Sequence, residues 1–315
     1  MSAEEPGRTP ATALGGVSEA RLRELFDAQE YVAEDDIVTT VLLALRLGKP
    51  LLIEGQPGAG KTELAKVLAN GFDTELVRLQ CYEGLAAENT LYEWNYTKQL
   101  LAVQAGEGGV DDADDSVFTE DHLFERPLLR ALRSEGDVPP VLLIDEVDRA
   151  DEEFEALLLE VLSDFQVSIP ELGTVRATVP PIVVITSNRT RGLSDALKRR
   201  CLYLHVEPPS FEKELEIVER KVPEIDAAVA AEVCGVTRRL REEAFLKQPG
   251  TAETLDWAHA IAALRENGAS TLSPAEVRNT LGCLLKEAED VERVDDDLLS
   301  ALLDAAREAR EEAES

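Results

Sequence analysis

Residues 55–62 read Gly55-Gln56-Pro57-Gly58-Ala59-Gly60-Lys61-Thr62, a complete G-x-x-x-x-G-K-T phosphate-binding loop. Such a loop lets several backbone N–H groups converge on one anion, because glycine carries no Cβ to block the approach. Lys61 adds a charge suited to β- and γ-phosphates, and the Thr62 hydroxyl can ligate Mg²⁺. The flanks agree. Pro50-Leu51-Leu52-Ile53-Glu54 has strand character, and Glu63-Leu64-Ala65-Lys66-Val67-Leu68-Ala69 continues as a helix whose N-terminus favours an anion. The expected nucleotide contacts therefore run from Gly55 through Gln56, Pro57, Gly58, Ala59, Gly60, Lys61 and Thr62 to Glu63. A chance glycine-rich turn is the competing reading, and it leaves the flanking strand and helix unexplained.

A second acidic motif completes the chemistry. Val141-Leu142-Leu143-Ile144 is an apolar strand ending in Asp145-Glu146, and ligands of open α/β sheets bind at that carboxyl edge. Asp145 can hold Mg²⁺ together with Thr62, and Glu146 can polarise a water for attack on a γ-phosphate. Taken alone, the pair could equally be an acidic helix cap. Asn188, just beyond the strand Ile182-Val183-Val184-Ile185-Thr186, could orient the attacking water, or could simply occupy a turn.

The chain has 315 residues, a length suited to about two domains. Apolar strands alternate with helical patterns up to Pro208-Pro209, which predicts an α/β domain with a mostly parallel sheet sandwiched by helices. Only helical periodicity follows. The expected division is a disordered lead-in over 1–16, an α/β domain over 17–208 and a helical domain over 209–315. Phe165–Ile169 and Thr174–Val179 read as a hairpin, and the Gly/Asp-rich run Gly106–Asp115 reads as a flexible loop. The last helix, dense in acids and alanines, reads as a solvated face with a frayed end.

Lys and Arg total 32 against 63 Asp and Glu, a net charge of −31 that repels nucleic-acid backbones and anionic membranes at long range. The acid excess otherwise serves solubility. Cys81, Cys201, Cys234 and Cys283 form no C-x-x-C pair, and His122, His205 and His259 are isolated, so no zinc site is expected. No signal peptide or membrane span is visible, and a soluble cytoplasmic protein is the expectation.

The order of motifs resembles the AAA+ ATPases: Gly55–Thr62, Leu142-Leu143-Ile144-Asp145-Glu146, Ile185-Thr186-Ser187-Asn188, Ala196-Leu197-Lys198-Arg199-Arg200-Cys201, then helices. Finer features resemble the MoxR branch, among them Arg78-Leu79-Gln80-Cys81-Tyr82-Glu83-Gly84, Arg126-Pro127-Leu128-Leu129 and the hairpin before Asn188. Ala196–Tyr203 together with Gly250-Thr251-Ala252-Glu253-Thr254-Leu255-Asp256-Trp257 resembles its CoxD-like members.

The resemblance implies a P-loop core with a helical lid, ATP and Mg²⁺ as cofactors, and Asn188 as sensor 1. It implies Arg200, or its neighbour Arg199, as an arginine finger acting on the next subunit of a homo-oligomeric ring, with a hexamer as the expected form. Tyr31 and Val32 fall where the family lines its adenine pocket, although the residues alone would fit interhelical packing. Thr254 stands where many lids carry a sensor-2 arginine, a departure from the pattern. The implied activity is chaperone-like remodelling of a client, with a von Willebrand factor A domain partner and a molybdenum or other metal enzyme as the client class. A nucleotide-gated adaptor and a nucleic-acid motor are the alternatives, the latter disfavoured by charge.

Overall fold

The computed structural model describes residues 14–86, 88–105, 122–169, 173–265 and 271–314. The chain up to residue 13, most of the expected lead-in, and the run Gly106–Asp115 lie outside the described residues. The described residues form two compact units. One comprises residues up to Gln29, Ala33–Glu54 and Lys61–His205; the other comprises Glu30–Val32, Gly55–Gly60 and Val206 onward.

The strands in chain order are β1 Leu51–Gly55, β2 Leu76–Gln80, β3 Tyr92–Trp94, β4 Leu123–Glu125, β5 Val141–Asp145, β6 Gln166–Ile169, β7 Gly173–Arg176, β8 Ile182–Ser187 and β9 Leu202–Val206. Five of them make the main sheet in the order β2-β5-β8-β1-β9, and the pairings β2–β5, β5–β8 and β8–β1 are parallel. Leu202 N–H donates to Pro50 O (2.8 Å), which joins β9 to β1. Position in the sheet explains the sequence of each strand. β5 and β8 are flanked and covered on both faces, so every residue in them is buried. β2, at an edge, alternates buried Val77 and Leu79 with exposed Arg78 and Gln80.

Helix Lys61–Gly71 leads from the phosphate loop and buries Leu64, Ala65, Val67 and Leu68. Helix Asp35–Leu47 stops where Gly48 takes the left-handed conformation (φ 62°), which glycine adopts without a Cβ clash. On helix Glu152–Asp164, Phe154, Leu158, Val161 and Leu162 are buried and join a core with Leu142, Ile144, Val183 and Ile185. Each such apolar side chain stabilises the fold by about 1.5–3 kcal/mol relative to an exposed one. β6 and β7 pair antiparallel as the expected hairpin, with Val167 and Ile169 turned into the core.

Beyond Val206 the regular elements among the second unit's described residues are all helices: Phe211–Lys221, Ala227–Arg241, Thr251–Leu264, Pro274–Leu284, Ala288–Glu292 and Asp296–Ala313. Trp257 is fully buried, and its indole N–H is satisfied by Thr280 Oγ (2.7 Å). The last helix has the solvated acidic face expected of it, and the sequence reading missed its other side: it runs to Ala313 and buries Leu299, Leu302, Ala306 and Ala309 as one apolar stripe. That stripe lies on Gly235 of helix Ala227–Arg241, where an added Cβ would stand 2.5 Å from Ala309 Cβ and 2.7 Å from the Ala305 carbonyl oxygen.

Two outcomes follow from this packing. Gly235→Ala should destabilise the helical unit by about 1–3 kcal/mol through overpacking, read as a lower denaturant midpoint. Glu232, 1% exposed, accepts from Leu272 N–H at one oxygen. Its Oε1 has Arg310 at 3.8 Å but no hydrogen-bond partner among the described residues. Burial raises its pKa above the ordinary carboxylate value. The folded protein then gains stability as pH falls through that raised pKa. Glu232→Gln should therefore raise Tm at neutral pH, by the equivalent of about 1 kcal/mol, with the gain shrinking on acidification.

Candidate active site

The parallel register places Gln80 of β2 opposite Asp145 of β5, and continues Ile144 opposite Ile185 toward Thr186 of β8. Three strand ends thus share one row at the carboxyl edge of the sheet. Asp145 is 3% exposed, and a carboxylate so buried needs compensating donors. Its Oδ1 accepts from the Thr186 hydroxyl (2.6 Å) and from the Thr62 hydroxyl (3.0 Å). Its Oδ2 accepts from Arg78 through Nη2 (2.6 Å) and Nε (3.2 Å). Thr62 and Asp145, the two residues expected to hold Mg²⁺, are therefore in direct contact. Their oxygen donors suit a hard divalent cation.

Glu146 leaves the strand in the left-handed conformation (φ 57°, ψ 49°), which costs a residue with a Cβ about 1–2 kcal/mol. Its N–H donates to Thr186 Oγ (2.9 Å), fixing the turn. Three side chains hold the carboxylate: Asn188 Nδ2 donates to Oε1 (3.1 Å), and Gln80 Nε2 (3.1 Å) and Arg149 Nη1 (3.0 Å) donate to Oε2. Asn188 and Glu146, singled out separately in the sequence, are thus one hydrogen-bonded pair. Lys61 is 7% exposed, and burial lowers its pKa against the opposing pull of Asp148, Asp145 and Glu146. Glu63 pairs with Lys66 (3.1 Å) on the surface of their shared helix.

Two buried acids that sequence reasoning missed anchor the segment around Asn188. Asp148 accepts from Asn188 N–H (3.1 Å), Thr190 N–H (2.8 Å) and the Thr190 hydroxyl (2.6 Å). Burial would raise its pKa, but these bonds from Thr190 and Asn188 outweigh burial and hold it below the ordinary carboxylate value. Glu155 accepts from Ser194 N–H (3.0 Å) and pairs with Arg191 (2.6 Å). A signal for Glu155 was present: it sits within the buried face of its helix, beside Phe154 and three residues before Leu158. Asp148 carried none. Arg78 and Gln80 carry no role of their own in the sequence reading, although alternation on an edge strand puts both on the same exposed face.

The phosphate loop has the backbone its glycines predict, with Gly58 at φ 79° and Gly60 at φ 81°. Gly58 and Gly250 approach so closely that a Cβ on either would meet the other's Cα at 3.0 Å. Tyr31 and Val32, both half-buried, belong to the same compact unit as Gly55–Gly60. Thr254 is fully buried; its hydroxyl donates to Glu214 Oε1 (2.9 Å), and Arg241 makes a two-pronged ion pair with the same carboxylate (2.7 and 2.8 Å).

Arg199 and Arg200 are exposed at the end of helix Asp195–Arg200, with Arg200 Nε on Ser163 Oγ (3.0 Å). All four cysteines are free thiols, and burial pushes Cys81 and Cys201 up to about 12. No described helix is long and apolar enough to cross a membrane.

Comparison with known proteins agrees with this layout. Residues 50–201 match the family model of the AAA domain, dynein-related subfamily. That match and the observed sheet give residues 50–201 a P-loop AAA+ fold, followed by a helical C-terminal region. Uncharacterised proteins of Staphylococcus aureus, strains bovine RF122 / ET3-1 and USA300, are 29% identical over 168 residues, 51% of this chain. The chain spans 56% of the length of these curated relatives. Among solved structures, the Thermotoga maritima RuvB Holliday junction branch migration motor is similar. It gives TM-score 0.44 at 18% identity, covering 87% of this chain and 69% of that one. A putative ATPase from Cytophaga hutchinsonii gives 0.45 at 18%, covering 90% and 86%. These likenesses are too distant to bear on function.

Asp148 supplies the test of this local architecture. Asp148→Asn should lower stability by about 1–3 kcal/mol at neutral pH, because Thr190 and Asn188 lose a charged acceptor. The wild type's advantage is present above the unfolded carboxylate pKa. It should be lost as pH falls through the lowered folded value, in paired thermal melts across the acid range.

Proposed function

We propose that this chain is an ATP-hydrolysing AAA+ ring ATPase of the MoxR type, a chaperone-like remodeller of a client protein. The observation that carries the ATPase reading is the contact set Thr62–Asp145–Thr186 beside Glu146–Asn188, brought from separate segments to one sheet edge. In this reading the loop Gly55–Gly60 cradles the phosphates and Lys61 binds the β- and γ-phosphate oxygens. Thr62 and Asp145 would hold Mg²⁺, which when bound neutralises phosphate charge. Glu146 takes a proton from the attacking water, and Asn188 orients the carboxylate and that water. Tyr31 and Val32 line the adenine pocket.

Arg199 and Arg200 are exposed and cationic at a helix end, as a finger reaching an adjoining subunit must be. A trans arginine is worth about 10³–10⁵ in rate in related phosphoryl transfer, so activity per subunit should rise with assembly. A hexamer, a von Willebrand factor A domain partner and a molybdenum or other metal enzyme as client are what the MoxR and CoxD-like resemblance suggests. The net charge of −31 weighs against a nucleic-acid motor. Thr254, buried against Glu214, leaves the lid without an arginine at that position and keeps a slowly hydrolysing, nucleotide-gated adaptor as the second reading.

The test is Glu146→Gln. It should retain ATP binding by calorimetry while steady-state hydrolysis falls by about 10²–10⁴. Undiminished turnover would remove Glu146 from the mechanism. A negligible wild-type rate at every protein concentration would favour the adaptor.

A further inference from the structure

Asp145 has about four lone-pair sites, and four donors fill them. Oδ1 takes the Thr62 and Thr186 hydroxyls, and Oδ2 takes Nε and Nη2 of Arg78. A divalent cation bound there, directly or through water, needs one of these sites. The hydroxyl of Thr62 can turn to keep company with a metal, because it has lone pairs of its own. A guanidinium has none and carries the wrong sign. Thr186 is 1% exposed and its hydroxyl is held on its other side by the Glu146 N–H, so Arg78 is the donor that a cation would displace most readily.

Arg78 has a second attachment. Its Nη2 also donates to Gln80 Oε1 (2.6 Å), and Gln80 Nε2 donates to Glu146 Oε2 (3.1 Å). An unbroken path of hydrogen bonds therefore runs Asp145–Arg78–Gln80–Glu146. Its geometry follows from β2: residues 78 and 80 project from one face of an edge strand, two positions apart, alongside the end of β5. The Arg78 side chain is 52% exposed, so it has room to leave Asp145 without breaking the core.

We infer that Arg78 is a positioning residue that competes with the divalent cation for Asp145 and passes the outcome, through Gln80, to the Glu146 carboxylate. Cation capture releases the guanidinium from Asp145, and Gln80 loses the partner that fixes its amide. The hold of Gln80 on Glu146 then loosens. By linkage, any group that steadies Arg78 on Asp145 weakens cation binding by the same factor. This inference rests on the ATPase reading and adds a coupling between its metal and its base.

The test is Mn²⁺ uptake by the full chain with a non-hydrolysable ATP analogue, followed by the electron paramagnetic resonance of free Mn²⁺, so that no turnover is required. Arg78→Gln should bind Mn²⁺ about five- to tenfold more tightly than wild type, the range of a modest coupling energy. Gln80→Leu changes no charge yet should tighten Mn²⁺ by about two- to threefold, because it removes the second anchor of Arg78. The double variant should be no tighter than Arg78→Gln alone, a non-additivity expected of residues in one network. Unchanged or weaker Mn²⁺ binding in Arg78→Gln overturns the inference. So does a tighter Arg78→Gln with an inert Gln80→Leu, which reduces Arg78 to a general repulsive charge. Absence of Mn²⁺-nucleotide uptake by the folded wild type sinks the ATPase reading itself, an outcome distinct from the other two.

Discussion

A carboxylate at the end of β5 is nearly sealed from water, and a charge so placed is tolerated only if donors from elsewhere reach it. Asp145 draws them from helix Lys61–Gly71, from β8 and from β2. The requirement of one buried charge thereby fixes how three elements end. Thr62 must open its helix with its hydroxyl toward the sheet, Thr186 must stand level with Asp145, and Arg78 must lie on the exposed side of its edge strand. Glu146 inherits the arrangement, because the hydroxyl that donates to Asp145 also accepts its N–H. The elements that solvate the aspartate also aim the glutamate.

A second layer of the same kind lies behind it. Asp148 and Glu155 are buried acids, and between them they take the N–H groups of Asn188, Thr190 and Ser194. The segment after β8 has no regular structure of its own until helix Asp195–Arg200. Its conformation is dictated by these side chains. The main chain of Asn188 is held by its N–H on Asp148 rather than by a strand ladder.

The parts of this site that were legible in the sequence are those governed by local rules. The phosphate loop declares itself through glycine spacing, Asp145 and Glu146 through their place after an apolar run, and the helical unit through its periodicity. Gly48 was readable as a helix stop for the same reason. What stayed hidden depends on contacts between distant segments. Asp148 resembles any acid near a helix start, and only the fold brings residues 188–190 to it. Arg78 and Gln80 look like polar residues on an edge strand until register sets them beside β5. The last helix misled because much of its stripe is built of alanines. These carry little hydrophobic signal but let two helices approach closely, and Gly235 on the facing helix, which would have disclosed the stripe, is far away in the chain.

The meeting of Gly58 and Gly250 has a genetic corollary. Two main chains touch there with no side chain on either, so neither position can drift on its own. Enlarging one cannot be rescued by shrinking the other, since the other is already the smallest residue available. The pair should behave as a single locus, with no compensating second-site change at its partner. A side chain at either codon would force the facing main chain to give by a few tenths of an ångström, and selection at this locus would act on that give.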